Sequence, residues 1–446
     1  PYEIAVLTAS TDRSLVSFGP GVHNGGALSL PVYWDQPEML RDQRWVGAIG
    51  LASSPDEFAD LGVTSVAVLR TTNAAVQETA IFPGRDNDVV IPGNTRHRQL
   101  YIDLPETAIE LQIDILGQSM NANLSFLDFD ALAASVPATP LAPEDFVTGS
   151  QPISGGRRIS IAAANGETLG AGRWFVVIDN LAAAERVFVV NATVQESAAV
   201  GNLRGLWGPL HRTINQGIDW QIGGGGNFAV WYTYDEDGLP TFYISNTVPP
   251  VDGSSIYNAI LFRATSNDQR NFLTPVGEVQ ITSVAPGRLM YAWRLNGNHG
   301  SEMYRTNIDS SCPLIGGVPS QRTGHWVSPD TSAGGVTLLS IANAEAWIRY
   351  YYDNLNRPRW VLADEELPPT LPDGVSMEVL DFRGFCIYCD PSPISREVVG
   401  TLERQFIDSG TTREVSDFLA GPPINASVQN DRAIVRATFT PACSNQ

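Results

Sequence analysis

The chain has no lysine. All 28 of its basic residues are arginine, against 48 acidic residues, and the formal net charge is −20. Schiff-base chemistry, the P-loop and Ser–Lys hydrolysis are excluded, because each needs a side-chain amine. A strongly acidic chain without a basic stripe repels phosphate backbones, so nucleic acid is not expected as a partner. A GC-rich genome or a saline habitat would give this bias, and selection against amines that invite crosslinking or proteolysis is the sharper alternative. Charge of either sign is sparse: 17% of residues carry one, where soluble proteins average about 25%.

Histidine and cysteine are also few. His23, His97, His211, His299 and His325 are scattered, which leaves no HExxH or HxH metal pair, and each reads as a surface or turn residue. There is no GxSxG elbow and no Rossmann GxGxxG. No catalytic residue, cofactor or enzyme activity is therefore expected. The four cysteines, Cys312, Cys386, Cys389 and Cys443, fall in the last third of the chain. An even count in an acidic, turn-rich chain reads as two disulfides in an oxidising compartment, with the pairing open. Zinc is the rival at Cys386-Ile-Tyr-Cys389, although no second CxxC accompanies it. No apolar run approaches the ~18 residues of a membrane helix, so no membrane insertion is expected. The chain begins at Pro1 without Met or signal peptide and reads as the mature part of a secreted or cell-surface protein.

What is present points to an all-β protein. The 40 glycines and 30 prolines suit many short strands joined by turns, and 446 residues allow three or four domains of about 100–200 residues each. Residues 1–95 read as one β-sandwich, with strands in Ala27–Trp34, Trp45–Leu51 and Val63–Leu69. Their short, regularly spaced strands resemble the immunoglobulin-like or fibronectin-like sandwiches of bacterial exoproteins. Residues 96–196 read as a second sandwich, with strands in Gln99–Leu104, Ala108–Leu116, Asn123–Phe129, Gly172–Asp179 and Arg186–Thr193. This order, closing on Gly172-Arg-Trp-Phe-Val-Val177, is similar to the prepeptidase C-terminal domain. That resemblance implies a jelly-roll-like accessory domain attached to a secreted bacterial protease.

The back half repeats itself. Gly205-Leu-Trp207 returns as Gly324-His-Trp326, and Gly217 as Gly335. Trp231-Tyr-Thr-Tyr-Asp235 returns as Arg349-Tyr-Tyr-Tyr-Asp353, and Phe262-Arg263 as Phe382-Arg383. Val276-Gly277 returns as Val399-Gly400. Such ordered self-similarity is the signature of a duplicated module. Strand candidates and short turns predict two eight-stranded up-and-down barrels, over 197–311 and 312–446. The Gly-x-Trp openings resemble the avidin and lipocalin group in shape. The whole repeat is similar to secreted bacterial modules carrying Trp-Tyr-x-Tyr-Asp-x-x-Gly-x-Pro-x-Trp-Tyr, from which no activity transfers. Copy one departs from that pattern at Phe242, and copy two at Arg349, Asn356 and Val361.

Alternation sorts the faces. Tyr232, Tyr234 and Phe242 match Tyr350, Tyr352 and Trp360. A face that persists between copies is expected to point inward, so these six form the predicted repeat core with Trp207 and Trp326. Trp220, Trp231 and Tyr243 then fall on the outer face, as candidates to stack on carbohydrate or a protein partner. The alternative for them is packing against the neighbouring module. Asp235 and Asp237, in an Asp-Gly hairpin turn, are weak calcium candidates, although Asp in turns usually serves the backbone. The expected function is a non-catalytic extracellular adhesion, structural or assembly component acting through a protein partner or self-assembly. The alternatives are the accessory tail of a secreted hydrolase, or a barrel that holds a small apolar ligand.

Overall fold

The computed structural model describes residues 15–17, 32–34, 44–51, 61–69, 79–118, 129–134, 148–164, 167–198, 205–209, 216–223, 226–247, 255–267, 270–306, 314–315, 318–319, 322–329, 334–341, 344–366, 370–371, 373–389, 393–408, 410–419 and 427–437. Every regular element among them is a strand. In the first 78 residues these are β1 (Leu15–Ser17) paired with β2 (Val32–Trp34), and the hairpin β3 (Arg44–Leu51)–β4 (Gly62–Leu69). The other residues before Thr79 lie outside the described residues, apart from Leu61.

A two-sheet module follows. Its strands are β5 (Thr79–Ala80), β6 (Asp86–Ile91), β7 (Thr95–Leu104), β8 (Ala108–Gln118), β9 (Phe129–Ala134), β10 (Thr148–Gly149), β11 (Gln151–Ile153), β12 (Gly156–Ala162), β13 (Gly172–Asn180) and β14 (Arg186–Glu196). They form two five-stranded sheets, in the orders β10-β9-β13-β7-β5 and β11-β12-β8-β14-β6. Burial alternates strictly along β6, as period two requires when one face of a sheet is covered. Ile102, Leu104, Val176 and Ile178 from one sheet meet Ile113, Ile115, Phe188 and Val190 from the other in a shared core. A boundary at 95/96 cuts this module, because β6 pairs with β14 and β5 with β7; the sandwich takes its first strand from Thr79.

Two closed antiparallel barrels complete the chain. The first runs β15 (Gly205–Pro209), β16 (Gly217–Gly223), β17 (Gly226–Tyr234), β18 (Pro240–Thr247), β19 (Ile256–Asn267), β20 (Arg270–Ala285), β21 (Arg288–Leu295), β22 (Asn298–Thr306), with β15 pairing back onto β22. Then come β23 (Leu314–Ile315) and β24 (Val318–Pro319). The second barrel uses β25 (Gly324–Val327), β26 (Val336–Ile341), β27 (Ala344–Tyr352), β28 (Pro358–Glu366), β30 (Gly374–Arg383), β31 (Ser395–Phe406), β32 (Thr411–Leu419) and β33 (Ser427–Arg436). The short β29 (Thr370–Leu371) lies outside it, beside β23.

The repeated Val-Gly pairs have a structural reason. The β19–β20 ladder slips a residue at Val276, and the β30–β31 ladder slips at Val399, so each pair forms a β-bulge at the same place in its barrel. A Cβ on Gly277 would sit 1.9 Å from the Arg294 carbonyl oxygen, and one on Gly400 2.1 Å from that of Asp417. Only glycine fits there.

The modules are joined firmly. Glu278 of the first barrel receives Arg85 of the sandwich and Arg294 of its own barrel. Arg294 reaches on to the Ala80 carbonyl at 2.8 Å, and both guanidiniums lie over the Phe82 ring. Arg173 covers Tyr101 and donates to Ser301 at 2.7 Å. These barrel residues belong to β20, β21 and β22. The second barrel packs mainly on β16–β18, with Leu206 of β15 and Ala264 of β19 at the margins of the shared cluster. Strands four places apart in an eight-stranded barrel face each other across its axis, so the first barrel is clamped from opposite sides.

Candidate functional site

Alternation along β17 and β18 puts aromatic rings on both faces, and the structure reverses the faces expected from the sequence. Trp220, Trp231 and Tyr243 are 1%, 1% and 4% exposed and fill the interior of the first barrel with Trp207, Tyr291, Trp293 and Tyr304. They form no outer binding stripe. Tyr232, Tyr234 and Phe242 point out of the first barrel, as Tyr350, Tyr352 and Trp360 point out of the second, and together they form a cluster between the two barrels. Trp326 does lie in the second interior, as Trp207 does in the first. The persistent face is thus an interface, because a docking surface constrains side chains in both copies at once. An enclosed interior constrains only its own volume.

This interface has the logic of a two-fold axis. The Tyr232 ring meets Trp360 at 5.5 Å, and Tyr350, the counterpart of Tyr232, meets Phe242, the counterpart of Trp360, at 5.1 Å. Tyr234–Trp360 at 5.7 Å is likewise mirrored by Phe242–Tyr352 at 5.9 Å. Each of these ring contacts occurs twice with its partners exchanged, as in an isologous dimer. At the centre, Asp219 and Thr337 occupy the same repeat position and touch, the Thr337 hydroxyl donating to Asp219 Oδ2. A like pair of aspartates there would repel; threonine in the second copy turns the contact into a hydrogen bond.

His325 is the residue that sequence reasoning missed. It is buried rather than exposed, with Nδ1 3.3 Å from Asp219 Oδ2 and its ring stacked on Tyr350 and edge-on to Phe228. Its sequence signal was its place in Gly324-His-Trp326, where the first copy has Leu206. Tyr350 OH lies 3.1 Å from the Thr337 hydroxyl, and burial pushes its phenol well above the ordinary range. Beside His325, the Thr337 hydroxyl donates to the Asp219 carboxylate.

Asp235 holds its own turn. Oδ1 accepts the N–H groups of Asp237 and Leu239, and Oδ2 accepts Arg359 of the second barrel at 2.7 Å. Asp353 holds the matching turn in the same way, accepting Leu355 and Arg357 N–H. The required positive φ falls on Gly238 in the first copy and Asn356 in the second. The weak calcium candidate Asp235 is therefore occupied by backbone and arginine. Among the described residues no group of three His, Cys, Asp or Glu is placed to hold a metal ion. Cys386 and Cys389 are joined to each other, and the zinc alternative loses both thiolates. Cys312 and Cys443 lie outside the described residues.

The second interior is chemically unlike the first. Trp231, Tyr291 and Glu302 have as counterparts Arg349, Glu414 and Arg432, and these form a buried ion cluster. Arg404 pairs with Glu345, both fully buried, through two hydrogen bonds. Burial lowers the Arg349 pKa, with Glu414 opposing that shift. On the outside of this barrel, an open cavity of about 290 Å³ lies between β30, β31 and β32. Ser376, Glu403, Gln405 and Arg413 line it, and no aromatic ring does. No known protein-family pattern matches the chain, and no curated protein matches it.

Proposed function

We propose that the chain is a non-catalytic structural component of an extracellular assembly, acting through the fixed spacing of its modules. The observation that carries this reading is the use of the aromatics. Among the described residues, the candidate binding rings Trp220, Trp231 and Tyr243 lie inside the first barrel, and Tyr232, Tyr234, Phe242, Tyr350, Tyr352 and Trp360 lie on the pseudo-two-fold interface. A barrel filled by Trp207, Trp220, Trp231 and Trp293 leaves small-ligand storage without support. The Arg85–Glu278 ion pair, the Arg294 guanidinium over Phe82 and the Arg173–Ser301 hydrogen bond hold the sandwich to the opposite side of that barrel. Sparse charge and the absence of lysine favour a protein partner or self-assembly over nucleic acid. The resemblance of the sandwich to prepeptidase C-terminal domains supports bacterial secretion.

The test is the native assembly. A lysine-free chain offers amine-directed crosslinkers almost nothing, so carboxylate-directed crosslinking is applied to material from the source organism, followed by mass spectrometry. Crosslinks from one face of the molecule to a second copy or to a cell-surface protein are expected. A monomer carrying only intramolecular crosslinks, or one that turns over a substrate, would overturn the reading.

A further inference from the structure

We infer that the Cys386–Cys389 disulfide is a thiol-exchange site that sets how firmly the second barrel stoppers the first. The segment after β30 runs along its neighbour. Phe382 stacks on Trp360 with ring centroids 5.8 Å apart. Gly384 donates its N–H to the Gly238 carbonyl at 3.1 Å and lies so close to Tyr234 that a Cβ would come within 2.6 Å of that ring. The chain then turns, Cys389 N–H bonding to Cys386 O at 2.9 Å, and the disulfide closes the turn.

The two residues inside this small loop do the reaching. Ile387 and Tyr388 pack against the interior cluster of the first barrel, the Tyr388 ring lying 6.2 Å from Trp293. Tyr388 OH donates to Glu236 Oε1 at 2.8 Å and accepts from Asn296 Nδ2 at 3.4 Å. Glu236 lies in the β17–β18 turn and Asn296 in the β21–β22 turn, two turns at one end of the barrel. The stopper therefore spans that mouth. Its purchase depends on the loop's shape, and the crosslink holds the shape.

Cys386 is 2% exposed and Cys389 is half-buried, so an incoming small thiolate reaches Cys389. A bond forms between its sulfur and Cys389 Sγ, the intramolecular S–S bond breaks, and Cys386 leaves as a thiolate that takes a proton. A second thiolate then attacks the external sulfur and releases Cys389, which is also protonated. Two external thiols end as a disulfide, having supplied the two electrons. The freed loop gains conformational entropy, Tyr388 withdraws, and the mouth loosens while the Tyr232–Trp360 interface stays closed.

Hydrogen exchange read by mass spectrometry tests this on the full chain. A Cys386→Ser/Cys389→Ser variant leaves the other cysteines alone. It is expected to exchange several-fold faster over 288–306 and 226–240, with 344–366 unchanged. Tyr388→Ala in the oxidised chain should give the same pattern, and combining it with the serine changes should add nothing further. Unchanged exchange in the serine variant, or additive effects, overturns the inference. Should the serine variant lose protection everywhere, the folded wild-type chain is compared before and after dithiothreitol. Faster exchange confined to the mouth is then expected, and no change overturns the proposal.

Discussion

Trp360 of the second barrel donates its indole N–H to the main-chain oxygen of Thr233 in the first, at 2.8 Å. The same ring meets Tyr232, Tyr234 and Phe382, so one side chain fastens two barrels by packing and by a buried hydrogen bond. Trp360→Ala is expected to cost about 3–5 kcal/mol, the range for emptying a large aromatic site. Trp360→Phe keeps much of the packing but strands the Thr233 carbonyl, at about 1–3 kcal/mol. A double-mutant cycle with Tyr232→Ala should show coupling of about 0.5–1.5 kcal/mol. Urea unfolding followed by tryptophan fluorescence measures all three. Additive losses from Tyr232 and Trp360 would show that the ring contact carries no energy of its own.

The pseudo-two-fold centre gives the second prediction. Thr337→Asp restores a like pair with Asp219, in a place where Asp219 is fully buried. Two carboxylates that close cannot both ionise, and one pKa must rise. A group whose folded pKa is raised contributes stability below its unfolded pKa and loses it as pH rises. The variant should therefore be much weaker than wild type at neutral pH and recover towards pH ~4, near the ordinary carboxylate range. Thermal unfolding at the two pH values checks this. Thr337→Val, which only removes the hydrogen bond to Asp219, should show a much smaller recovery.

The strands and the duplication were legible because period two and turn chemistry are written locally; the Val-Gly pairs showed as a repeat, but their bulges came only with the ladders. The faces were not legible. Alternation separates Tyr232 from Trp231 but carries no sign, and persistence between copies gives the wrong one. Persistence marked the surface shared by both barrels, while the interiors diverged from Trp231 and Tyr291 to Arg349 and Glu414. One signal pointed the right way: an arginine on the supposed outer face, opposite tryptophan, shows a position with freedom to change. Pairing across modules, such as His325 with Asp219 or Tyr388 with Glu236, leaves no trace in the local pattern.

The second interior predicts an asymmetry between breaking and replacing an ion pair. Arg404 and Glu345 are fully buried and bound through two hydrogen bonds. Glu345→Leu alone leaves a buried guanidinium uncompensated and should cost about 3–5 kcal/mol. Glu345→Leu with Arg404→Met removes both charges, in a barrel whose other walls include Trp347, Leu402 and Phe406. The double variant should regain most of that loss, since apolar replacements of buried pairs are often neutral or stabilising. Chemical denaturation of the single and double variants decides it. A double variant as unstable as the single one would mean that the pair is needed for packing rather than for charge balance.

Acid should loosen the joint between sandwich and first barrel. Burial pushes the Glu278 carboxyl up, but hydrogen bonds and charge from Arg85 and Arg294 outweigh it and hold the group below the usual glutamate range. A depressed folded pKa means stability that is complete above the unfolded value, ~4.3, and lost as pH falls through the folded value. Asp381, raised by burial, runs the other way, since its protonation relieves a cost in the second barrel. Acid should therefore weaken the sandwich joint before the inter-barrel face. Hydrogen exchange at descending pH, corrected for intrinsic rates, should show residues 79–87 and 270–285 losing protection ahead of 344–366. Glu278→Gln should be loose at the joint already at neutral pH and nearly insensitive to acid there. A joint that holds in the wild type while the barrels part first would place the acid-labile carboxylates elsewhere.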